Sequence, residues 1–340
     1  MKNKIIISLL ALFFSSFVIQ AQTAKLQVIH NAADVAAASV DIYLWNTTDN
    51  QLVVKLDDFA YRTATPFVDV PAGKDLDVII AAPTSASETD QVIATIPAGS
   101  LTDMETYVLF ANGVLDPNSY AANPDVVSSA FELLVKPMAR EAALGDNVEF
   151  FVLHGATDAP TVDVIARDVA TLVDDAAYTD ITDYIEVPAA SYILDVTPGS
   201  DNSTIVASFE ADLSGLAGGS AVVFASGFLN PSANQNGEAF GILAALGDGT
   251  VVEFPAYVPQ ARLQVIHNSA DVAAATVDIY LMDDSHGQIL KIDDFGFRQA
   301  SPYVDVPAEM ELNVIIAGPS STGPTDQAIA TIPVGSLANM

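Results

Sequence analysis

The chain has 340 residues, with 43 acidic against 12 basic side chains and a formal net charge of −31. A surface this negative repels phosphate backbones and anionic lipid, which argues against nucleic-acid and anionic-membrane partners. Cysteine is absent, which excludes disulfides, thiolate catalysis, thiolate metal sites and a lipidated N-terminal cysteine. Hydrophobic residues at 51% and charged residues at 16% leave ample material for cores, and the length suggests two or three domains.

The first segment reads as an address. Lys2 and Lys4 precede an uninterrupted apolar and small-residue stretch from Ile5 to Val18, and Ala21 stands where a small residue precedes cleavage. That order is the secretory signal pattern, and the run is too short to span a bilayer. Residues 1–21 are therefore expected to be a signal peptide. No later segment is long and apolar enough for a membrane span, so the protein is expected to be secreted or held at the cell surface.

Beyond the leader the chain repeats itself. Residues 24–104 open AKLQVIHNAADVAAASVDIYL, and residues 261–340 open ARLQVIHNSADVAAATVDIYL. About 50 of 80 aligned positions are identical, with one single-residue gap near Val54, far beyond chance self-similarity. A diverged copy lies between, from VEFFVLHGATDAPTVDVIA through LVDDAAY to YIEVPAASYILDV, and AVVFASGFLNP in it answers YVLFANGVLDP. The expected units are 22–143, a diverged 144–257, and 258–340. The third stops at the counterpart of Met104, so it is expected to be incomplete and the chain a piece of a longer reading frame.

Within each unit the pattern is β. Leu26, Val28 and His30 alternate with Gln27, Ile29 and Asn31, and Val40, Ile42 and Leu44 alternate with Asp41 and Tyr43; such period-two runs are half-buried strands. Pro71 and Pro83 fall just beyond strands, where a missing donor does no harm. TYVLFANG is apolar on both faces and predicts a central strand. Asp248-Gly249 between apolar stretches predicts a tight hairpin. DVAAASV and its copy DVAAATV can be read as one helical turn, but their place between two strands makes a connecting loop the expectation, as for the glycine-rich GLAGGSA of residues 215–221. Seven or eight short strands per unit give an all-β class: tandem immunoglobulin-like β-sandwiches.

The ordered motifs Val28 to Leu44, Asp57 to Arg62 and Pro66 to Ala72 recur at Val265 to Leu281, Asp293 to Arg298 and Pro302 to Ala308. The middle unit keeps their outline at Leu153-His154, Asp158, Val162 to Val164, Asp174-Asp175 and Val187-Pro188. This order resembles the bacterial "domain of unknown function 4397" family. The resemblance implies tandem β-sandwich modules in an exported protein, often in bacteria whose surface proteins carry a type IX secretion sorting domain. It implies no activity.

No catalytic, cofactor-binding or metal-binding residue can be assigned. His30, His154 and His267 recur with Asp34, Asp158 and Asp271 four residues later, but two side chains do not complete a zinc site. His30 is in phase with Leu26 and Val28, so it is expected to point inward and bond a loop backbone or Asp34; His286 has no counterpart. The pairs Asp57-Asp58, Asp174-Asp175 and Asp293-Asp294 lack the D-x-[DN]-x-[DN]-G calcium pattern. One aspartate of each is expected to cap a turn while the other faces water, and adjacent strand residues cannot face each other across a glycosidic bond. No G-x-S-x-G or phosphate-loop motif occurs. Tyr43 and Trp45 form the best candidate aromatic platform for a sugar, Tyr43 being placed on the face opposite the core. The expectation is a non-enzymatic structural or adhesive array without cofactors, its partner an unnamed surface protein or polysaccharide, with a glycan- or surface-polymer-binding module as the alternative.

Overall fold

The computed structural model describes residues 22–283 and 287–339, so the expected signal peptide and His286 lie outside the described residues. The fold is all-β, built of paired sheets. The chain divides into two compact units, with the break after Pro255.

The first unit contains two sandwiches. In the first of them the strands are β1 (Thr23–Asn31), β2 (Ser39–Asn46), β3 (Gln51–Ala60), β4 (Val68–Pro71), β5 (Asp75–Ala81), β6 (Val92–Ser100), β7 (Thr106–Asn112) and β8 (Glu132–Lys136). They form two sheets, ordered β4-β1-β7-β8 and β3-β2-β5-β6. Alternation decides which side chains fill the space between them: Leu26, Val28, Ile42, Leu44, Val78 and Ile80 share one core. The expected central strand is β7. It pairs parallel with β1 and antiparallel with β8, and is buried on both faces.

The second sandwich repeats this order with β9 (Val148–Leu153), β10 (Val162–Ala166), β11 (Ala170–Ala176), β12 (Ile185–Val187), β13 (Ser191–Pro198), β14 (Ala207–Asp212), β15 (Ser220–Ser226), β16 (Gly241–Leu246) and β17 (Val251–Glu253). Its sheets run β12-β9-β15-β16-β17 and β11-β10-β13-β14. The β16–β17 hairpin turns at Asp248-Gly249, as its sequence predicts: Gly249 has φ +88°, and the Leu246 and Thr250 backbones are bonded at 2.8 Å.

The second unit has β18 (Gln260–Leu263), β19 (Thr276–Asp283), β20 (Gly287–Gly296), β21 (Val304–Pro307), β22 (Glu311–Ala317) and β23 (Ala328–Ser336). These form a two-stranded sheet, β18-β21, and a four-stranded sheet, β20-β19-β22-β23. Ala261 and Val306 of the smaller sheet pack on Leu281 and Leu312 of the larger.

One connection departs from expectation. DVAAASV is not an irregular loop; Val35–Ala37 form a single 3-10 turn, and Val272–Ala274 do the same. The cause is capping. The Asp34 carboxylate accepts the Ala36 N–H at 2.8 Å, and Asp271 accepts that of Ala273 at 2.9 Å, which satisfies donors that a bare turn leaves open.

Candidate functional site

The recurring histidine sits where β1 ends. His30 is buried; its Nε2–H donates to the Ala37 carbonyl at 2.8 Å, and its Nδ1 accepts the Ala32 N–H at 3.3 Å. Burial holds its pKa down at about 4, against the modest upward pull of the Ala37 bond. His267 makes the same pair of bonds, to Ala274 and from Ser269. In these two copies the histidine therefore ties the 3-10 turn to the strand end, with both ring nitrogens engaged. Asp34 is not its partner, since that carboxylate caps the turn and also accepts the Leu115 N–H at 2.8 Å. Asp158 likewise accepts the Leu229 and Asn230 N–H groups, at 2.9 and 3.0 Å.

The acidic pairs are β-bulges. The register shifts between Val40 and Ile42, so that Asp41 faces both Asp57 and Asp58; Asp163 faces Asp174 and Asp175, and Asp278 faces Asp293 and Asp294, in the same way. The second aspartate of each pair has positive φ, near 50°, a conformation that aspartate tolerates better than most residues. Its N–H donates to the buried carboxylate opposite, at 3.0 Å for Asp41, 2.6 Å for Asp163 and 2.9 Å for Asp278. The buried acid is thus the organising residue, which inspection of the pair alone misses. A signal was present in the sequence: each unit carries a V-D-[IV] strand ahead of its DD pair.

Asp41 gathers a polar cluster on the outer face of its sheet. Ser85 Oγ donates to it at 2.6 Å, Lys55 Nζ lies 3.0 Å away, and the Tyr43 hydroxyl meets Ser85 Oγ at 2.9 Å. Burial alone raises the Asp41 pKa, but bonds from Ser85, the Asp58 N–H and Lys55 outweigh it and leave the carboxyl below its ordinary range. Lys55 is raised, first by Asp57 and then by Asp41. Asp278, Ser321, Lys291 and Tyr280 rebuild the cluster in the second unit. In the second sandwich Ile165 takes the place of Tyr43, and an Arg167–Asp195–Ser208 network stands on the adjoining strands instead.

This cluster corrects the aromatic platform. Tyr43 is only 2% exposed, packed with Ile79, Ala81 and Trp45, its hydroxyl held by Ser85 from the β5–β6 loop. A face turned away from one core can still be covered by a loop, and strand alternation does not reveal that. Among the described residues, no three His, Asp or Glu side chains gather as a metal-binding group.

What the sequence did not reveal is the joint between the two sandwiches of the first unit. The sheets containing β1 and β9 face each other and share a core in which Ile29, Val108 and Phe110 meet Phe151, Leu153, Val222 and Phe224. The TYVLFAN strand is apolar on both faces because one face fills its own sandwich and the other fills this joint. Polar contacts at its rim are reciprocal. The Tyr61 hydroxyl meets Ser226 Oγ at 2.6 Å, while Asn112, which is Ser226's counterpart, donates to the hydroxyl of Tyr178, which is Tyr61's counterpart, at 3.0 Å. Arg62 donates to the carbonyls of Ser226 and Ala239, at 3.1 and 2.5 Å. Asn31 donates to Asn112 and to the Ala225 carbonyl, at 2.9 and 3.2 Å. The counterpart of Asn31 is Gly155, where a Cβ would lie 2.1 Å from Asn31 Nδ2, so glycine here makes room for the asparagine across the joint.

Comparison with known proteins adds little about chemistry. No curated protein matches the chain. Among solved structures, the Bacillus anthracis TIE protein is similar at 10% identity and a TM-score of 0.19, over 94% of this chain and 49% of that one, so the chain spans about half of its length. Residues 149–235 match the family described as "Domain of unknown function (DUF4397)". The match falls on the middle copy, where the shared motif survives only in outline, and that segment is similar to the DUF4397 family.

Proposed function

We propose that this protein is an exported, non-enzymatic array of β-sandwiches, acting at or outside the cell surface as a structural or adhesive element. The observation that carries the reading is the joint: two sandwiches share a buried apolar core and a reciprocal polar rim, which resists bending better than a flexible linker. The recurring polar residues support it as well, because His30, Asp34, Asp41 and Ser85 each spend their hydrogen bonds inside the fold. The leader-like N-terminus supports export, and the charge of −31 favours a soluble surface that resists nonspecific association. No helix among the described residues is long and apolar enough to cross a membrane. The sugar-platform alternative loses its main support with the burial of Tyr43.

Single-molecule stretching of the whole chain tests the mechanical part. Residues 22–255 are expected to give way in one step, with a contour gain of roughly 80 nm at about 3.4 Å per residue. Two separate steps of roughly 40 nm would overturn the reading of a rigid pair. Protease treatment of intact cells tests the location: the chain should be cleaved without lysis, and full protection would overturn surface exposure.

A further inference from the structure

The second sandwich encloses an apolar cavity of about 250 Å³ between its sheets; the corresponding space in the first sandwich is about 110 Å³. The difference is written in the strands, and the pairing registers align the two sandwiches position by position. Phe59, opposite Val40, becomes Ala176, opposite Val162. Ile42 and its partners Ile80 and Leu56 become Val164, Val196 and Val173. Leu109, beside Val28, becomes Val223, beside Val152. Together these changes remove about ten side-chain carbons from one end of the sandwich, and unfilled core volume of that size is costly unless something occupies it. The larger replacements, Leu26 by Phe150 and Leu76 by Tyr192, sit nearer the other end of the strands.

The emptied end reaches the surface. Leu229 and Val206 both line the cavity and are themselves exposed, at 52% and 60%. Apolar residues left in water at the mouth of an apolar cavity are a feature of a binding site rather than of a sealed packing defect. One polar atom in the lining is unsatisfied. His154 lines the cavity and is buried; its Nε2–H donates to the Pro160 carbonyl at 3.0 Å, and its Nδ1, an acceptor in that tautomer, has no partner. In His30 and His267 the same nitrogen accepts a backbone N–H. Burial also keeps His154 neutral by lowering its pKa.

We propose that the cavity of the second sandwich binds a neutral aliphatic molecule bearing a hydroxyl, with the chain between the sheets and the hydroxyl donating to His154 Nδ1. Size fits: an aliphatic-lined cavity of about 150 Å³ takes up a benzene ring, so this volume suits a chain of roughly ten carbons. A carboxylate is disfavoured, because the lining offers it no cation and the whole surface is acidic.

The test is calorimetric titration of the whole chain at neutral pH with 1-decanol, and separately with decanoate. Saturable binding of one 1-decanol per chain, at least tenfold tighter than decanoate, is expected. Ala176→Phe restores the residue of the first sandwich and should weaken binding at least tenfold without lowering the melting temperature. If A176F fails to fold, the milder pair Val164→Ile with Val223→Leu shortens the cavity by two methyl-sized groups and should shift the preference from 1-decanol towards 1-octanol. Absence of saturable binding, binding unchanged in a folded cavity-filling variant, or equal affinity for decanoate would each overturn the proposal.

Discussion

The first sandwich and the unit that follows Pro255 are near copies in sequence, yet the same side chains meet different fates. Ile29 is completely buried in the joint, while its counterpart Ile266 is 65% exposed. Tyr61 and Arg62 bond to the neighbouring sandwich, while their counterparts Phe297 and Arg298 are exposed. Phe67 packs into the joint, and Tyr303 is exposed. Inside each sandwich the copies agree: the histidine, its 3-10 turn, the bulge and the Asp–Ser–Tyr–Lys cluster are rebuilt bond for bond. Local sequence thus fixes the bonds within a sandwich, whereas the burial of its outer face depends on what packs there.

Substitutions at matched positions break the comparison most directly. Ile29→Asp places an unpaired carboxylate in the joint and should cost more than about 4 kcal/mol, while Ile266→Asp should stay within about 0.5 kcal/mol. Denaturant unfolding followed through Trp45, the only tryptophan and a residue of the first sandwich, reads the first; calorimetry of the whole chain reads the second. Equal losses would mean that the joint contributes no stability.

Acid sharpens the comparison of the buried histidines. The unfolded chain protonates His30 near its ordinary pKa of 6.5, the folded chain only near 4. Its stabilising contribution is therefore fully present above about pH 6.5 and is lost as pH falls towards 4, by about 3 kcal/mol in all. His154, lowered in the same direction by burial, adds to the loss. Trp45-monitored unfolding between pH 7 and 4 should show this slope, and His30→Gln should flatten it. An unchanged slope in H30Q would remove His30 from the account.

Smaller effects follow. Asp41→Ala strips the Asp58 N–H and Ser85 Oγ of their acceptor and should cost about 2–3 kcal/mol, read as a lower denaturation midpoint. Gly155→Ala drives a methyl onto Asn31 and the Ala225 carbonyl and should cost about 2 kcal/mol, part of it recovered in the double variant with Asn31→Ala. Arg62→Ala should cost about 1–2 kcal/mol and Arg298→Ala less than about 0.5 kcal/mol.

Much of this was legible in advance, for identifiable reasons. The inward position of His30 follows from the period of two, and the β16–β17 hairpin from Asp248-Gly249, because both depend on neighbours along the chain. The role of Asp41 was harder to see, since a bulge matches residues some sixteen positions apart and only the pairing register brings them together. The burial of Tyr43 depends on a loop that folds back over an outward-facing residue.

By itself, then, the sequence determined the strands, their turns and the internal likeness of the copies, because these rest on local periodicity and on backbone preferences of a few residues. Only the tertiary structure decided that two sandwiches share a core, that Gly155 makes room for Asn31, and that the cavity of the middle sandwich is more than twice the size of its neighbour's. Each of those depends on side chains from distant strands meeting in space, where volume and hydrogen-bond partners are settled between surfaces rather than along the chain.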